Sequence, residues 1–181
     1  MSAPSPPPMQ TFLILYLALL ASTFVYLGLL LSGLLVVAPA EDSTLAFGVA
    51  ASAVGVLAAS WFVPRMIHGA AVSALELTIE EIPDPNGSVM FREQTPTIRS
   101  FADPERADAE ARRVYFTPFI LRLAFNEAIA LFGFVLGMLG YAPAVVLPFF
   151  VVSWVLFAFS APRPSRWRAP LVAHFDAQLE R

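Results

Sequence analysis

Four apolar stretches, each long enough to cross a lipid bilayer as a helix, constrain this chain more than any other feature. They run over residues 11–37, 44–63, 115–140 and 143–161. A bilayer core of about 30 Å requires about 20 consecutive apolar residues in a helix. The composition agrees, since 57% of the residues are hydrophobic and 14% are charged. The sequence therefore predicts an all-α, polytopic membrane protein with four transmembrane helices arranged as two hairpins.

The apolar stretches divide the chain into five predicted segments. Residues 1–10 form a disordered leader, residues 11–63 the first transmembrane hairpin and residues 115–161 the second. Between the hairpins lies a cytoplasmic segment, 64–114, that is too short for an independent core. Residues 162–181 form a basic stop-transfer cluster and an amphipathic helix. The first stretch is about twice as long as a signal-peptide core and follows no basic residue, so we interpret it as a membrane helix.

The arginines predict the orientation, because basic residues near the ends of membrane helices stay on the cytoplasmic side. The residues expected to anchor that side are Arg65, Arg112, Arg113, Arg122, Arg163, Arg166, Trp167 and Arg168. The short connections at 38–43 and 141–142 contain no arginine. Both termini and the 64–114 segment are therefore predicted to be cytoplasmic. Because all eleven basic residues are arginine, we expect a GC-rich bacterial genome, and hence a bacterial inner membrane.

The 64–114 segment contains several local signals. Its first part, GAAVSALELTIEEI, predicts a surface helix, PDPNGS predicts a turn, and SVMFREQTPTIRSF predicts a short strand pair. Asp103 as N-cap before Pro104 predicts the start of a further helix. Asp108 and Arg112 are spaced for an i,i+4 ion pair on that helix. We expect it to continue into the third membrane stretch with a bend at Pro118, and a solvated charged linker is the alternative.

The C-terminal tail has a helical repeat of apolar residues. Leu171, Phe175 and Leu179 recur every four residues, which predicts an amphipathic helix. An apolar face of this kind can lie on the inner leaflet of the membrane. Docking on the 64–114 segment is the alternative use of the same face.

Two stripes of small residues are the predicted packing faces, because helices in lipid associate through close approach of their backbones. At 100° per residue, each stripe falls on one side of its helix. The stripes are Gly48, Ala51, Ser52, Gly55 and Ala59 in the second helix and Asn126, Ala130, Gly133 and Gly137 in the third. We expect them to pack against each other within the chain or against a second copy. The predicted partners are therefore lipid and either a homo-oligomer or other membrane subunits.

Glu127 is the one acidic residue in the third apolar stretch. It points about 100° away from the centre of the small-residue stripe, on a face with Ala124, Leu131 and Phe134. An ionised acidic side chain in the bilayer costs at least ~2.5 kcal/mol, so we expect Glu127 to be neutral, to face water, or to pair with Arg122 of a neighbouring copy. Packing does not account for its position. Glu127 is therefore the candidate ion-binding residue.

The residues from Glu127 onwards, EAIALFGFVLG, resemble the second helix of subunit c, the membrane-ring subunit of rotary ATP synthases. In that family a carboxylate that carries H⁺ or Na⁺ is followed by Ala and, six residues on, by Gly, as Glu127, Ala128 and Gly133 are here. The Gly/Ala-rich residues 48–60 resemble the first helix, and residues 122–140 the second. The resemblance implies that Glu127 binds an ion.

Other chemistry is not indicated by the sequence. The chain has no cysteine, which excludes thiolate metal sites and cysteine nucleophiles, and its histidines, His68 and His174, are far apart and expected to be solvated. It contains no H-E-x-x-H, G-x-S-x-G, P-loop or dinucleotide-binding motif. We therefore predict no enzyme, no cofactor and no metal site. The net charge of −3 does not indicate a nucleic-acid partner, and no small-molecule ligand is indicated.

Three functional classes follow from these observations. The favoured class is an accessory or oligomerising inner-membrane protein whose polar intramembrane groups set helix pairing. The second is proton or cation coupling at Glu127, in a ring like that of subunit c or in a small transporter. The third is a scaffold that recruits a cytoplasmic partner through residues 64–114.

Overall fold

The computed structural model describes residues 6–33, 43–83 and 97–179. Within these residues the chain is mostly helical, with 77% of positions in five helices, and it contains one two-stranded sheet. The elements in chain order are α1 (Met9–Leu31), α2 (Ser43–Ser73), β1 (Ile79–Pro83), β2 (Thr97–Phe101), α3 (Pro104–Met138), α4 (Pro143–Ser160) and α5 (Ser165–Phe175). The helices α1 to α4 are each long and apolar enough to cross a membrane. The four predicted membrane helices are therefore confirmed in their length and composition.

The helix α3 begins where the sequence predicts. The Asp103 side chain accepts a hydrogen bond from the Arg106 backbone N–H at 2.9 Å, as an N-cap residue does. From Pro104 the helix runs without a break to Met138 and includes Pro118. The prediction that this helix continues into the third apolar stretch is confirmed, and the alternative of a charged linker is wrong.

The segment after α2 differs from the prediction. The predicted surface helix is wrong beyond Ser73, because Ile79–Pro83 forms β1 and pairs antiparallel with β2. The β-branched residues Thr78, Ile79 and Ile82 favour an extended backbone over a helix. β2 occupies the last part of the predicted strand pair, and the rest of that pair and most of the predicted turn lie in residues 84–96, outside the described residues.

The chain divides into two compact units. The hairpin unit, named for its two antiparallel strands β1 and β2, combines the described residues of Ile67–Phe116 and Arg163–Arg181. The four-helix unit combines Pro8–Met66 with Thr117–Pro162. Each unit is therefore assembled from segments that are distant in sequence, and α2 and α3 each contribute residues to both.

One buried cluster of the four-helix unit lies between α3 and α4. Ala130 and Leu136 of α3 are buried with Val146 and Phe150 of α4, and Leu30 of α1 is among the residues that pack against this cluster. Burial of these apolar groups leaves the outer faces of the helices exposed, as is expected where lipid is the solvent.

The core of the hairpin unit forms around the sheet and α5. Phe101 of β2 and Leu171 of α5 are buried, and the rings of Phe101 and Phe175 meet edge to face at 5.7 Å. After α5, Gln178 pairs in parallel with Ser100 of β2. The C-terminal helix thus docks on the segment before α3, as the alternative prediction has it, and the prediction that its apolar face lies on lipid is wrong because Leu171 has no exposed surface.

Candidate functional site

Glu127 lies near the middle of the part of α3 that belongs to the four-helix unit. That part runs from Thr117 to Met138, so Glu127 follows its first residue by ten positions. At 1.5 Å per residue this is about 15 Å along the helix axis. The side chain is half-buried. A carboxyl group here is as far from both ends of the helical segment as the chain allows.

The Glu127 carboxyl group binds two hydroxyl groups of α1. Ser22 Oγ donates a hydrogen bond to Glu127 Oε1 at 2.6 Å, and the Tyr26 hydroxyl donates to the same oxygen at 2.8 Å. Ser22 and Tyr26 are four residues apart, so they lie one above the other on one face of α1. The Tyr26 ring also packs against Phe134, two turns after Glu127, at 5.3 Å between centroids. The site therefore joins α1 to α3.

Further hydrogen bonds join α4 to α1 and α3 in the same unit. Asn126 Nδ2 donates to Ser160 Oγ at 2.9 Å, and Ser153 Oγ donates to the Asn126 carbonyl at 2.7 Å. Trp154 Nε1 donates to Thr23 Oγ1 at 2.9 Å. We call the eight residues of these bonds the polar layer: Ser22, Thr23, Tyr26, Asn126, Glu127, Ser153, Trp154 and Ser160. Through it, adjacent residues of α3 hold different neighbours, with Asn126 bonded to α4 and Glu127 to α1.

Sequence reasoning missed the α1 side of this layer. Ser22, Thr23 and Tyr26 fall within five residues in the middle of an otherwise apolar stretch. Hydroxyl side chains at such a position need hydrogen-bond partners inside the protein. The clustering of these three hydroxyl groups is the sequence signal that indicates a hydrogen-bonded contact with another helix.

The small-residue stripe of α3 packs closely, but against α4 and α1. A Cβ atom added at Gly133 would lie 2.8 Å from Phe149 Cβ, and one added at Gly137 would lie 2.5 Å from Leu30 Cδ1. Asn126 and Ala130 of this stripe are buried. Large side chains of α1 and α4 therefore fill the space above these glycines.

The small-residue stripe of α2 faces outward among the described residues. A Cβ atom added at Gly48 or Gly55 would meet nothing within 4 Å, Ala51 and Ser52 are exposed, and Ala59 is half-buried. The expectation that the two stripes pack against each other within the chain is wrong, because α3 packs its stripe on other helices. Contact of the α2 stripe with a second copy stays a prediction.

The predicted anchoring residues have varied surroundings. Trp167 is 3% exposed and donates its indole N–H to Asp108 Oδ1 at 3.0 Å, so its expected role as an interface anchor is wrong. Arg168 Nε also donates to Asp108 Oδ1, at 2.7 Å, and Arg112 Nε lies 3.1 Å from Oδ2, which is the i,i+4 ion pair that the sequence predicts. Asp108 is therefore the centre that joins α3 to α5.

The remaining arginines do not share one environment. Arg113 pairs with Glu110 at 2.7 Å, and the Arg65 guanidinium lies 3.7 Å from the centre of the Trp61 ring. The other predicted anchors are Arg122 and Arg166, which are half-buried, and Arg163, which is exposed. Their contact with lipid headgroups stays a prediction, and Trp61, half exposed beside Arg65, is an anchor candidate that sequence reasoning missed.

The two histidines differ from each other. His68 is 8% exposed and its ring lies 5.2 Å from that of Tyr115, so the expectation that it is solvated is wrong. His174 is exposed and meets Phe175 edge to face. Among the described residues, no group of three or more His, Cys, Asp or Glu side chains is arranged to hold a metal ion.

No protein family, no curated protein and no solved structure matches this chain. The resemblance of residues 48–60 and 122–140 to subunit c therefore stays a prediction from local pattern.

Proposed function

We propose that this chain is a non-enzymatic integral membrane protein of the accessory or oligomerising class, in which intramembrane polar groups set helix pairing. The observation that carries the proposal is the pair of hydrogen bonds from Ser22 and Tyr26 to Glu127 Oε1. Helices in lipid gain little from the hydrophobic effect and depend on close packing and on hydrogen bonds between helices. A carboxyl group used in this way is a structural element.

The rest of the polar layer supports the same role. Each of its hydrogen bonds joins two different helices of the four-helix unit. Such bonds contribute about 0.6 kcal/mol each on average in a membrane protein. Together they are enough to select one arrangement of α1, α3 and α4 over others.

The composition of the hairpin unit supports the proposed topology. It contains residues from before and after the pair α3 and α4, and such a unit favours a topology in which both segments lie on the same side of a membrane. The arginines of both segments favour the cytoplasmic side of a bacterial inner membrane. The outward stripe of α2 is the face that we propose for contact with a second copy.

Substitutions at Glu127 test the helix-pairing role. Gln keeps a carbonyl oxygen that can accept from Ser22 and Tyr26, whereas Leu removes the acceptor. We expect Glu127→Leu to lower the free energy of unfolding by about 1 to 2 kcal/mol and Glu127→Gln to lower it by less, measured by SDS-induced unfolding in bicelles. Ala124→Leu, at an exposed position on the same side of α3, is the matched control. Equal stability of the Leu variant and the wild type would contradict the proposal.

Proton or cation coupling at Glu127 is the second candidate function. It is favoured by a specific observation: among the described residues both hydrogen bonds reach Oε1, and the side chain is half-buried. Such a group has one oxygen free to exchange an ion. Proteoliposomes with the wild-type protein should then pass protons under an imposed potential and those with Glu127→Gln should not, whereas equal flux would exclude this function.

A further inference from the structure

An open apolar groove lies between α2 and the helices α3 and α4 of the four-helix unit. It has a volume of about 330 Å³, which is within the range of about 300–1,000 Å³ that ligand sites occupy. Its lining side chains are apolar and include Ala50, Val54, Leu57, Ile129, Phe149 and Val152. A groove with this lining accepts an aliphatic chain and offers no hydrogen-bond partner to a polar ligand.

The exposed face of α2 connects this groove with a basic side chain. At 100° per residue, Val54, Trp61 and Arg65 fall within about 40° of one another, and all three are exposed. The Arg65 guanidinium lies over the Trp61 ring, 3.7 Å from its centre. Stacking uses the face of the guanidinium group. Its N–H donors lie in its own plane, so they stay available to bind an anion.

Arg65 has no counter-ion within the part of the chain that the structure describes. No hydrogen bond or ion pair joins it to another described residue. Glu127, the one acidic side chain among the described residues of the four-helix unit, is held by hydroxyls of α1. The fork of an arginine side chain matches phosphate, which it binds bidentately. A phosphodiester from outside the chain therefore supplies both the missing negative charge and a matching pair of oxygens.

The spacing between Arg65 and the groove matches the depth of one lipid leaflet. Leu57 precedes Arg65 by eight residues and Ala50 precedes it by fifteen, which at about 1.5 Å per residue gives about 12 and 23 Å along α2. Half the thickness of a bilayer, headgroups included, is about 20 to 22 Å. We propose that the four-helix unit binds one anionic phospholipid, with the phosphate on Arg65 and the distal half of an acyl chain in the groove.

The lipid and the second copy proposed above occupy different faces of α2. At 100° per residue, Gly48 and Gly55 of the small-residue stripe point about 100 to 120° away from Val54. A lipid in the groove therefore leaves the stripe open to a second copy. The inference rests on the membrane location in the proposed function, and it depends neither on helix pairing through Glu127 nor on ion coupling there.

Headgroup charge decides which phospholipid binds, because an acyl chain finds apolar surroundings both in the groove and in the bilayer. Phosphatidylethanolamine carries an ammonium group of its own, which competes with Arg65 for the phosphate. Phosphatidylglycerol carries none. We therefore expect phosphatidylglycerol to bind about fivefold more tightly than phosphatidylethanolamine with the same acyl chains.

Photolabelling of the full chain in phosphatidylcholine nanodiscs tests the proposal. The two probes are trace phosphatidylglycerol and trace phosphatidylethanolamine, each with a diazirine in the distal half of the same acyl chain, and mass spectrometry locates the adducts. The phosphatidylglycerol probe should label residues 50–57 and 148–152 about fivefold more than the other probe does. Arg65→Gln should remove this difference. Arg163→Gln, at an exposed arginine after α4, is the matched control and should leave the difference unchanged.

A second pair of variants tests the acyl-chain part of the site. Ala50→Phe places a ring in the groove, so it should lower labelling by both probes. Ala51→Phe makes the same change at an exposed position of the small-residue stripe and should leave labelling by both probes unchanged.

Three results would overturn the proposal. Equal labelling of the wild-type protein by the two probes would show that Arg65 does not select the headgroup. A wild-type groove without adducts would show that no acyl chain enters it, and a dimer that Ala50→Phe converts to a monomer would then assign the groove to a second copy. Loss of the phosphatidylglycerol preference in inorganic phosphate, relative to chloride of equal ionic strength, would assign Arg65 to a soluble anion. Helix pairing is tested separately by Glu127→Leu, so either proposal can fail alone.

Discussion

Asp108 and Glu127 are both carboxyl groups of α3 that hold a neighbouring helix, and they do so by different chemistry. Asp108, in the hairpin unit, contacts the guanidinium groups of Arg112 and Arg168 and the indole N–H of Trp167. Glu127, in the four-helix unit, accepts only from the hydroxyls of Ser22 and Tyr26 among the described residues. The first arrangement uses charged donors beside the indole N–H, whereas the second uses neutral hydroxyl donors.

The difference follows from the two environments. Where water reaches the side chains, opposite charges are available at low cost, and charge-assisted hydrogen bonds are roughly twice as strong as neutral ones. In an apolar unit a full ion pair must first be desolvated, and that cost can exceed its Coulomb attraction. Neutral hydroxyl donors avoid this cost. The same residue class therefore serves as an ionic centre in one unit and as a hydrogen-bond acceptor in the other.

The largest effect that we predict tests whether packing outweighs hydrogen bonding in the four-helix unit. Gly133→Leu should lower its free energy of unfolding by about 3 kcal/mol, because even a Cβ atom there lies 2.8 Å from Phe149 Cβ and 3.2 Å from the Val146 carbonyl. Gly55→Leu is the matched control, since a Cβ atom there meets nothing within 4 Å. SDS-induced unfolding measures the stability of both variants. If Gly133→Leu lowers the free energy of unfolding by less than Glu127→Leu does, the polar layer contributes more to stability than the packing at Gly133.

The second effect concerns the ionic centre of the hairpin unit. Asp108→Ala should destabilise the docked α5 by about 2 kcal/mol, because it leaves the buried Trp167 indole without its acceptor. Asp108→Asn retains an acceptor but loses the charge that Arg112 and Arg168 contact, so an intermediate loss is expected. Hydrogen exchange of the amides of Ser165–Phe175 measures these losses. An Asn variant as stable as the wild type would show that charge is not what holds α5.

The smallest predicted effect is that of ionic strength, which should weaken the contacts of Asp108 but not those of Glu127. The Arg168 side chain is 44% exposed, so its pairing with Asp108 is screened by ions, and an exposed pair contributes no more than about 1 kcal/mol. Raising the ionic strength should accelerate amide exchange in α5 about twofold and leave exchange in α1 beside Glu127 unchanged. Equal acceleration of amide exchange in α5 and α1 would contradict the assignment of ionic contacts to Asp108 and neutral contacts to Glu127.

The parts of the fold that depend on local properties could be predicted from the sequence. The four apolar stretches correspond to α1 to α4 because the length of an apolar run is itself the requirement for crossing a bilayer. The start of α3 at Asp103 and Pro104 is set by the chemistry of neighbouring residues. The pairing of Asp108 with Arg112 depends only on the helical repeat.

The parts that depend on contacts between distant segments could not be predicted. Ser22 and Glu127 are 105 residues apart, and nothing local to either indicates the other. The small-residue repeat of α3 predicts a packing face, and Gly133 and Gly137 do lie against other helices, but periodicity gives the direction of a face and not its partner. The basic cluster around Trp167 predicts an interface residue, whereas the observed burial of Trp167 depends on α5 docking near Asp108.

The pairing of the tail with β2 has a consequence for the order in which the molecule is assembled. Gln178 donates its backbone N–H to the Arg99 carbonyl at 2.9 Å, and its own carbonyl accepts from Phe101 N at 3.3 Å. The edge of β2 is therefore completed by residues that leave the ribosome after the whole of α3 and α4. Because chains fold from the N-terminus during synthesis, this strand edge stays open until the last two apolar helices have been made. Closure of the edge then requires α3 and α4 to have been made first, and an open edge marks a chain in which these helices are missing or misplaced.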